Sequence, residues 1–159
     1  VIQQLVDEGR SVTGFFYNPN IFPDDEYLKR LEAARYAADK MGVRLVEEKC
    51  DRGKWLDVAS SLADEPECGA RCSLCYRMRL ERTYEYFLEH GFDLFTTTLT
   101  VSPMKKADIV NKIGSDIGGD KFLAADFKKN DGFKKTIDMA KKWGLYRQNY
   151  CGCEFTLRA

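Results

Sequence analysis

Helical and strand spacings of apolar residues take turns along this chain. Val1, Ile2, Leu5 and Val6 fall on one helical face, and Gly9 follows as a closing residue. Val12–Tyr17 is a short apolar run stopped by Asn18-Pro19-Asn20, which reads as a strand and a turn. Asp24–Met41 has helical periodicity, with Leu28, Leu31, Ala34, Ala38 and Met41 expected inward and Gly42 at the end. A second strand is predicted over Val43–Val46, then a helix through Trp55–Leu62 and an acidic loop at Asp64-Glu65-Pro66-Glu67. A long helix is predicted from Ser73 to Glu89, with His90 as its C-terminal cap and Gly91 after it. Asp93–Thr97 reads as a third strand. Ser102-Pro103 carries the residue types of a helix start, for a helix that reaches Ile117 and stops at Gly118-Gly119. Phe122–Ala125 is predicted as a fourth strand and Asp131–Trp143 as the last helix.

Strands alternating with helices predict an α/β fold: one domain over residues 1–159, with a largely parallel sheet flanked by helices. At 159 residues the chain can bury a core without disulfide or metal staples. No apolar run approaches the length of a membrane span, so a soluble protein is expected. The 25 basic and 25 acidic residues cancel, but unevenly. Residues 1–70 hold 9 basic and 14 acidic side chains, net −5, whereas residues 104–147 hold 11 and 6, net +5. A basic second half suits a polyanionic partner and equally suits a solvated lysine surface. On the last helix Phe133, Ile137 and Ala140 are expected inward, while Lys134, Lys135, Lys141 and Lys142 share another face that could lie along phosphates.

Six cysteines change the picture most. Cys72 and Cys75 form a C-x-x-C pair at the start of the long helix, where both sulfurs can lie on one face. The helix N-terminus favours their thiolate forms. Cys151 and Cys153 form a C-x-C pair beside the dense polar and aromatic segment Tyr146-Arg147-Gln148-Asn149-Tyr150. Disulfides, plain buried thiols and ligation of a soft metal or iron–sulfur cluster are all open to such residues. Two close pairs, far apart in sequence, are the pattern that ligation requires. Cys50 stands alone and reads as an ordinary thiol. A further candidate is the run Thr96-Thr97-Thr98, which leaves a strand and leads to Ser102. Its hydroxyls and backbone N–H groups could take an anion at the carboxyl end of the sheet.

With these segments in hand, the chain resembles the QueH-type epoxyqueuosine reductases. The matching stretches are residues 16–21, 26–30, 71–80, 97–103 and 126–129, together with Tyr146-Arg-Gln-Asn-Tyr-Cys151-Gly-Cys153, the most specific of them. The resemblance implies a HUP-like (Rossmann-like) fold. It also implies a cytoplasmic tRNA-modifying oxidoreductase that removes the epoxide oxygen of epoxyqueuosine at the wobble position, the last step of queuosine synthesis. Implied with it are a [4Fe-4S] cluster and an additional metal ion, expected to be iron, with Cys72, Cys75, Cys151 and Cys153 as ligands. The implied partners are a tRNA anticodon loop and an electron donor. Cys68, a position often occupied by glycine in the family, is not counted as a ligand. Family members carry a strand and a Cys-Cys motif upstream of the point where this sequence starts. The chain is therefore expected to be truncated at its N-terminus and, alone, inactive.

Turning an epoxide into an alkene consumes two electrons and two protons, and side chains supply only the protons, so a redox centre is required. Tyr150 and Asp126 are the candidate proton donors. Lys128, Lys129 and Arg147 are candidates for anticodon-loop phosphates, with Gln148, Thr97, Thr98 and Ser102 as further substrate contacts. Two other readings compete. One is a zinc-bound tRNA-binding module built on the same four cysteines. The other is a radical S-adenosylmethionine enzyme or other iron–sulfur tRNA-modifying enzyme. The spacing of Cys68, Cys72 and Cys75 matches the radical enzymes, but Leu74 stands where they use an aromatic.

Overall fold

A computed structural model describes residues 1–157. The fold is mixed α/β and packs as two compact units, one formed by Val1–Arg52 with residues 134–157, the other by Gly53–Phe133.

In the first unit, helix α1 (Ile2–Asp7) leads to strand β1 (Thr13–Phe16), helix α2 (Asp24–Met41) and strand β2 (Arg44–Glu47). The strands pair in parallel, Thr13 opposite Arg44 through Phe16 opposite Glu47, as a βαβ unit with α2 as the crossover. Their bounds lie within a residue of the expected ones. The inward face of α2 is rotated from the expected stripe: Leu31 and Ala38 are buried as predicted, but Leu28 is 54% exposed. The face turns because Glu26 and Arg30, one helical turn apart, are buried as an ion pair, their side chains 7% and 9% exposed. Arg35 pairs with Glu47 and ties α2 to the end of β2.

In the second unit, helix α3 (Arg52–Ala59) ends in a 3-10 turn at Ser60–Leu62, and helices α4 (Ala70–His90) and α5 (Ala107–Gly118) follow. Tyr76, Leu80 and Phe87 of α4 meet Val110 and Ile113 of α5 around Phe95 and Phe122. Glycines at 114 and 118 let α5 lie directly against the rings of Phe122 and Phe95, where any Cβ would overlap ring atoms. His90 caps α4 as expected, its Nδ1 3.0 Å from the Tyr86 carbonyl.

Two expected strands shrink to a single parallel bridge between Phe95 and Phe122. The cause is local: the Thr96 hydroxyl donates to the Leu123 carbonyl at 2.8 Å, and the Thr97 hydroxyl accepts the Leu99 N–H at 3.2 Å, so side chains take over the ladder. The helix expected from Ser102 begins instead at Ala107, with Lys106 as its N-cap. Ser102 caps only one turn, accepting the Met104 N–H at 3.3 Å, and the chain does not continue it. Helix α6 (Gly132–Trp143) forms as predicted with Ala140 buried, but Phe133 is 38% exposed rather than inward. Among the described residues, no helix is long and apolar enough to cross a membrane.

Candidate functional site

Both cysteine pairs are presented by short, heavily braced turns, one in each unit. Helix α4 starts three residues earlier than expected, because Gly69 acts as N-cap and the Glu65 carboxylate accepts the Ala70 N–H at 3.0 Å. This places Cys72 and Cys75 on the first turns of the helix, with Cys72 buried and Cys75 half-buried. Arg71, itself buried, reaches back to the carbonyls of Leu62 and Ala63 at 2.8 and 2.7 Å and fixes the loop ahead of the pair. The Cys68 N–H donates to Cys72 Sγ at 3.2 Å.

Cys68 adopts a left-handed backbone, φ 68°, which a side chain disfavours by about 1–2 kcal/mol. That strain accounts physically for a position where glycine serves well. Cys68→Gly is therefore expected to leave unchanged any metal that the protein carries and to raise Tm by about 2–4 °C, the equivalent of ~1 kcal/mol. A thermal melt beside a metal assay checks both. Loss of metal would make Cys68 a ligand after all.

The C-x-C pair is held from three sides. Cys153 bridges to Ile21 in antiparallel fashion, and the Phe22 N–H donates to the Gly152 carbonyl at 2.8 Å. Arg52 pairs with Glu154 at 2.8 Å and stacks on Phe22, 4.4 Å from its ring centre. Arg30 donates to the carbonyls of Tyr150 and Cys151 at 3.0 and 3.1 Å and lies over the Tyr150 ring at 5.1 Å. Gly152 has φ +95°, and a Cβ there would stand 2.8 Å from Arg30 Nη1, so both conformation and space demand glycine. Inside the turn the Cys153 N–H donates to Cys151 Sγ at 3.4 Å.

Neither pair is tied up in a disulfide; all six cysteines are thiols. Thiols with backbone N–H groups aimed at sulfur, one member of each pair buried, are a donor set that suits iron or zinc. Among the described residues no group of three or more His, Cys, Asp or Glu side chains is arranged to hold a metal, so each unit by itself presents a pair.

The remaining candidates fall into two kinds. Some are already engaged. Lys128 contacts the Asp126 carboxylate at 3.0 Å and the carbonyls of Thr100 and Lys105 at 3.2 Å each. The bond from Lys128 holds the Asp126 carboxyl below the usual carboxylate range, so it is ionised at neutral pH. Tyr150 donates its hydroxyl to the Phe22 carbonyl; burial and then the Glu26 charge push its phenol above the ordinary value, and it keeps its proton. Thr97 and Ser102 spend their oxygens on their own turns. Others face solvent: Thr98, Lys129, Arg147 and Gln148 are exposed, as are Lys134, Lys135, Lys141 and Lys142.

Sequence reasoning missed Glu26 and Arg30, whose E-x-x-x-R spacing was a visible i,i+4 pair but whose burial depends on residues 120 positions away. Glu26 also accepts the Tyr146 hydroxyl at 2.6 Å.

An α/β scaffold that offers two braced thiol pairs has the makings of a thiolate-ligating protein. The chain belongs to the epoxyqueuosine reductase QueH family, whose model matches residues 1–159. A Staphylococcus epidermidis protein named epoxyqueuosine reductase QueH is 39% identical over 152 residues, 89% of this chain and 64% of that protein. One of the same name from Histophilus somni is 36% identical over 162 residues, 99% of this chain and 67% of that protein. One from Thermotoga maritima is 38% identical over 154 residues, 93% and 80%. The chain thus spans about two thirds of the length of the first of these relatives.

Proposed function

We propose that this chain carries the cysteine-bearing part of a tRNA-modifying reductase that converts epoxyqueuosine at the wobble position to queuosine. The observation that carries the reading is the family match over the whole chain, joined by two thiol pairs whose sulfurs receive backbone N–H donors. Cys72, Cys75, Cys151 and Cys153 would hold iron, as a [4Fe-4S] cluster and an additional iron ion. The bound iron would supply the two electrons that, with two protons, turn the epoxide into an alkene and water. An electron donor must replenish them.

The chain's own residues then have separable tasks. Tyr150 holds a proton at neutral pH, though its raised pKa makes it a weak acid; Asp126, ionised beside Lys128, would have to be protonated first. Lys129 and Arg147, both exposed, would meet tRNA phosphates, with Gln148 and Thr98 as polar contacts. Lys128, Thr97 and Ser102 are spent on the backbone of their own segments.

The test is iron, acid-labile sulfide and zinc content of the natively expressed protein, purified without oxygen, together with turnover of epoxyqueuosine-containing tRNA. Several irons with matching sulfide, and queuosine formed on addition of a reductant, are the expected result. One zinc, no sulfide and no turnover would leave a zinc-bound tRNA-binding module instead.

A further inference from the structure

The guanidinium of Arg30, its side chain 9% exposed, is enclosed against a still more buried Glu26, and its polar contacts converge on one place. Its Nε donates to Glu26 at 2.7 Å, while its two terminal nitrogens donate to the backbone carbonyls of Tyr150 and Cys151. Its plane lies over the Tyr150 ring, and Nη1 would be the first atom met by any side chain at Gly152. Glu26, buried in turn, is held at its second oxygen by the Tyr146 hydroxyl, from the opening of the segment that ends in the C-x-C pair. One helical turn of α2 thus grips both ends of Tyr146–Cys151.

We infer that Arg30, oriented by Glu26 and Tyr146, is the positioning residue that fixes the separation and direction of the Cys151 and Cys153 sulfurs. The inference rests on the reading of that pair as ligands. A C-x-C turn has a glycine at its centre, so its two thiols are free to splay unless the peptides around them are held. Arg30 holds the two carbonyls on the N-terminal side of Gly152 with a rigid planar fork, which a lysine cannot imitate. Groups that orient metal ligands in this way commonly change metal affinity by about 10–100-fold when removed.

The experiment compares Arg30→Lys and Tyr146→Phe with the natively expressed wild type. Arg30→Lys retains a cation for Glu26 but loses the fork. Tyr146→Phe, at a 41% exposed residue, removes a single bond from Glu26 and leaves the fold intact. Two readouts are taken: amide hydrogen exchange over residues 150–153 in metal-free protein, and the rate at which a ferrous chelator strips iron from loaded protein. Arg30→Lys is expected to accelerate both, stripping by about 10–100-fold, with Tyr146→Phe changing both in the same direction by less. Exchange unchanged in both variants would overturn the inference, as would faster exchange with unchanged stripping. Wild-type protein that carries no iron would instead sink the ligand reading, and faster exchange in the variants would then leave Arg30 as a purely structural clamp.

Discussion

Serine in place of Cys151 or Cys153 is expected to lower the iron of the purified protein and to take epoxyqueuosine turnover to background. The size of this effect follows from what a hydroxyl cannot do. A thiolate is a soft, anionic ligand, whereas serine stays protonated and hard, so under the proposed ligation the substitution would remove a bond to iron rather than weaken it. The turn itself should survive. Most of the bonds that hold it run through the carbonyls of Tyr150, Cys151 and Gly152 and the Ile21–Cys153 bridge, and the Cys153 N–H to Cys151 Sγ contact is one that a serine oxygen can also accept. Loss of iron with an unchanged melting curve for the metal-free protein would therefore separate ligation from folding. Cys72→Ser and Cys75→Ser should behave alike, since Arg71 and Glu65 brace the chain ahead of them and a serine oxygen at 72 can still accept the Cys68 N–H. Full iron and turnover in any one of the four variants would remove that residue from the ligand set. Cys50→Ser is the control: Cys50 accepts the Asn18 N–H and lies near the Tyr27 hydroxyl, away from both pairs in sequence, and should keep iron and turnover.

Much of this arrangement is legible in the sequence, and the parts that are not share a cause. The β1–α2–β2 unit follows from a short apolar run, a long amphipathic stretch and a second short run, each stopped by a local breaker. The cysteine pairs are visible because their spacing is itself local. By contrast, α5 starts at Ala107 rather than Ser102 because nothing local decides between one capped turn and a helix that propagates. The third and fourth strands reduce to one bridge because Thr96 and Thr97 bond through their side chains, an option that β-propensity does not register. The rotated face of α2 was the least readable. A glutamate and an arginine on a helix read as solvent-facing, and only the return of the chain at Tyr146–Cys151 gives them buried partners.

That buried pair sets the second large expectation, which concerns stability. Glu26→Ala should destabilise the protein by about 3–5 kcal/mol, because it strands the Arg30 guanidinium away from water with its carboxylate partner gone. Against a total of about 5–15 kcal/mol for a domain, this is a large fraction, and it should lower Tm by about 6–20 °C. Removing both charges together, in Glu26→Ala with Arg30→Met, should cost less than the two single changes summed, since no unpaired ion then remains. The same pair predicts a pH dependence. Burial alone would raise the Glu26 pKa, but the bonds from Tyr146 and Arg30 outweigh it and hold the carboxyl below the ordinary value of about 4.3. A carboxylate depressed in the folded state contributes its stability above the unfolded value and loses it as pH falls through the folded one. Wild-type stability should therefore decline from about pH 4.3 downward more steeply than that of Glu26→Gln, the two curves converging at the acid end. Chemical denaturation at a series of pH values on metal-free protein measures this directly. Parallel curves would mean that Glu26 is not the ionised partner of Arg30, and the clamp on the C-x-C turn would then lack its anchor.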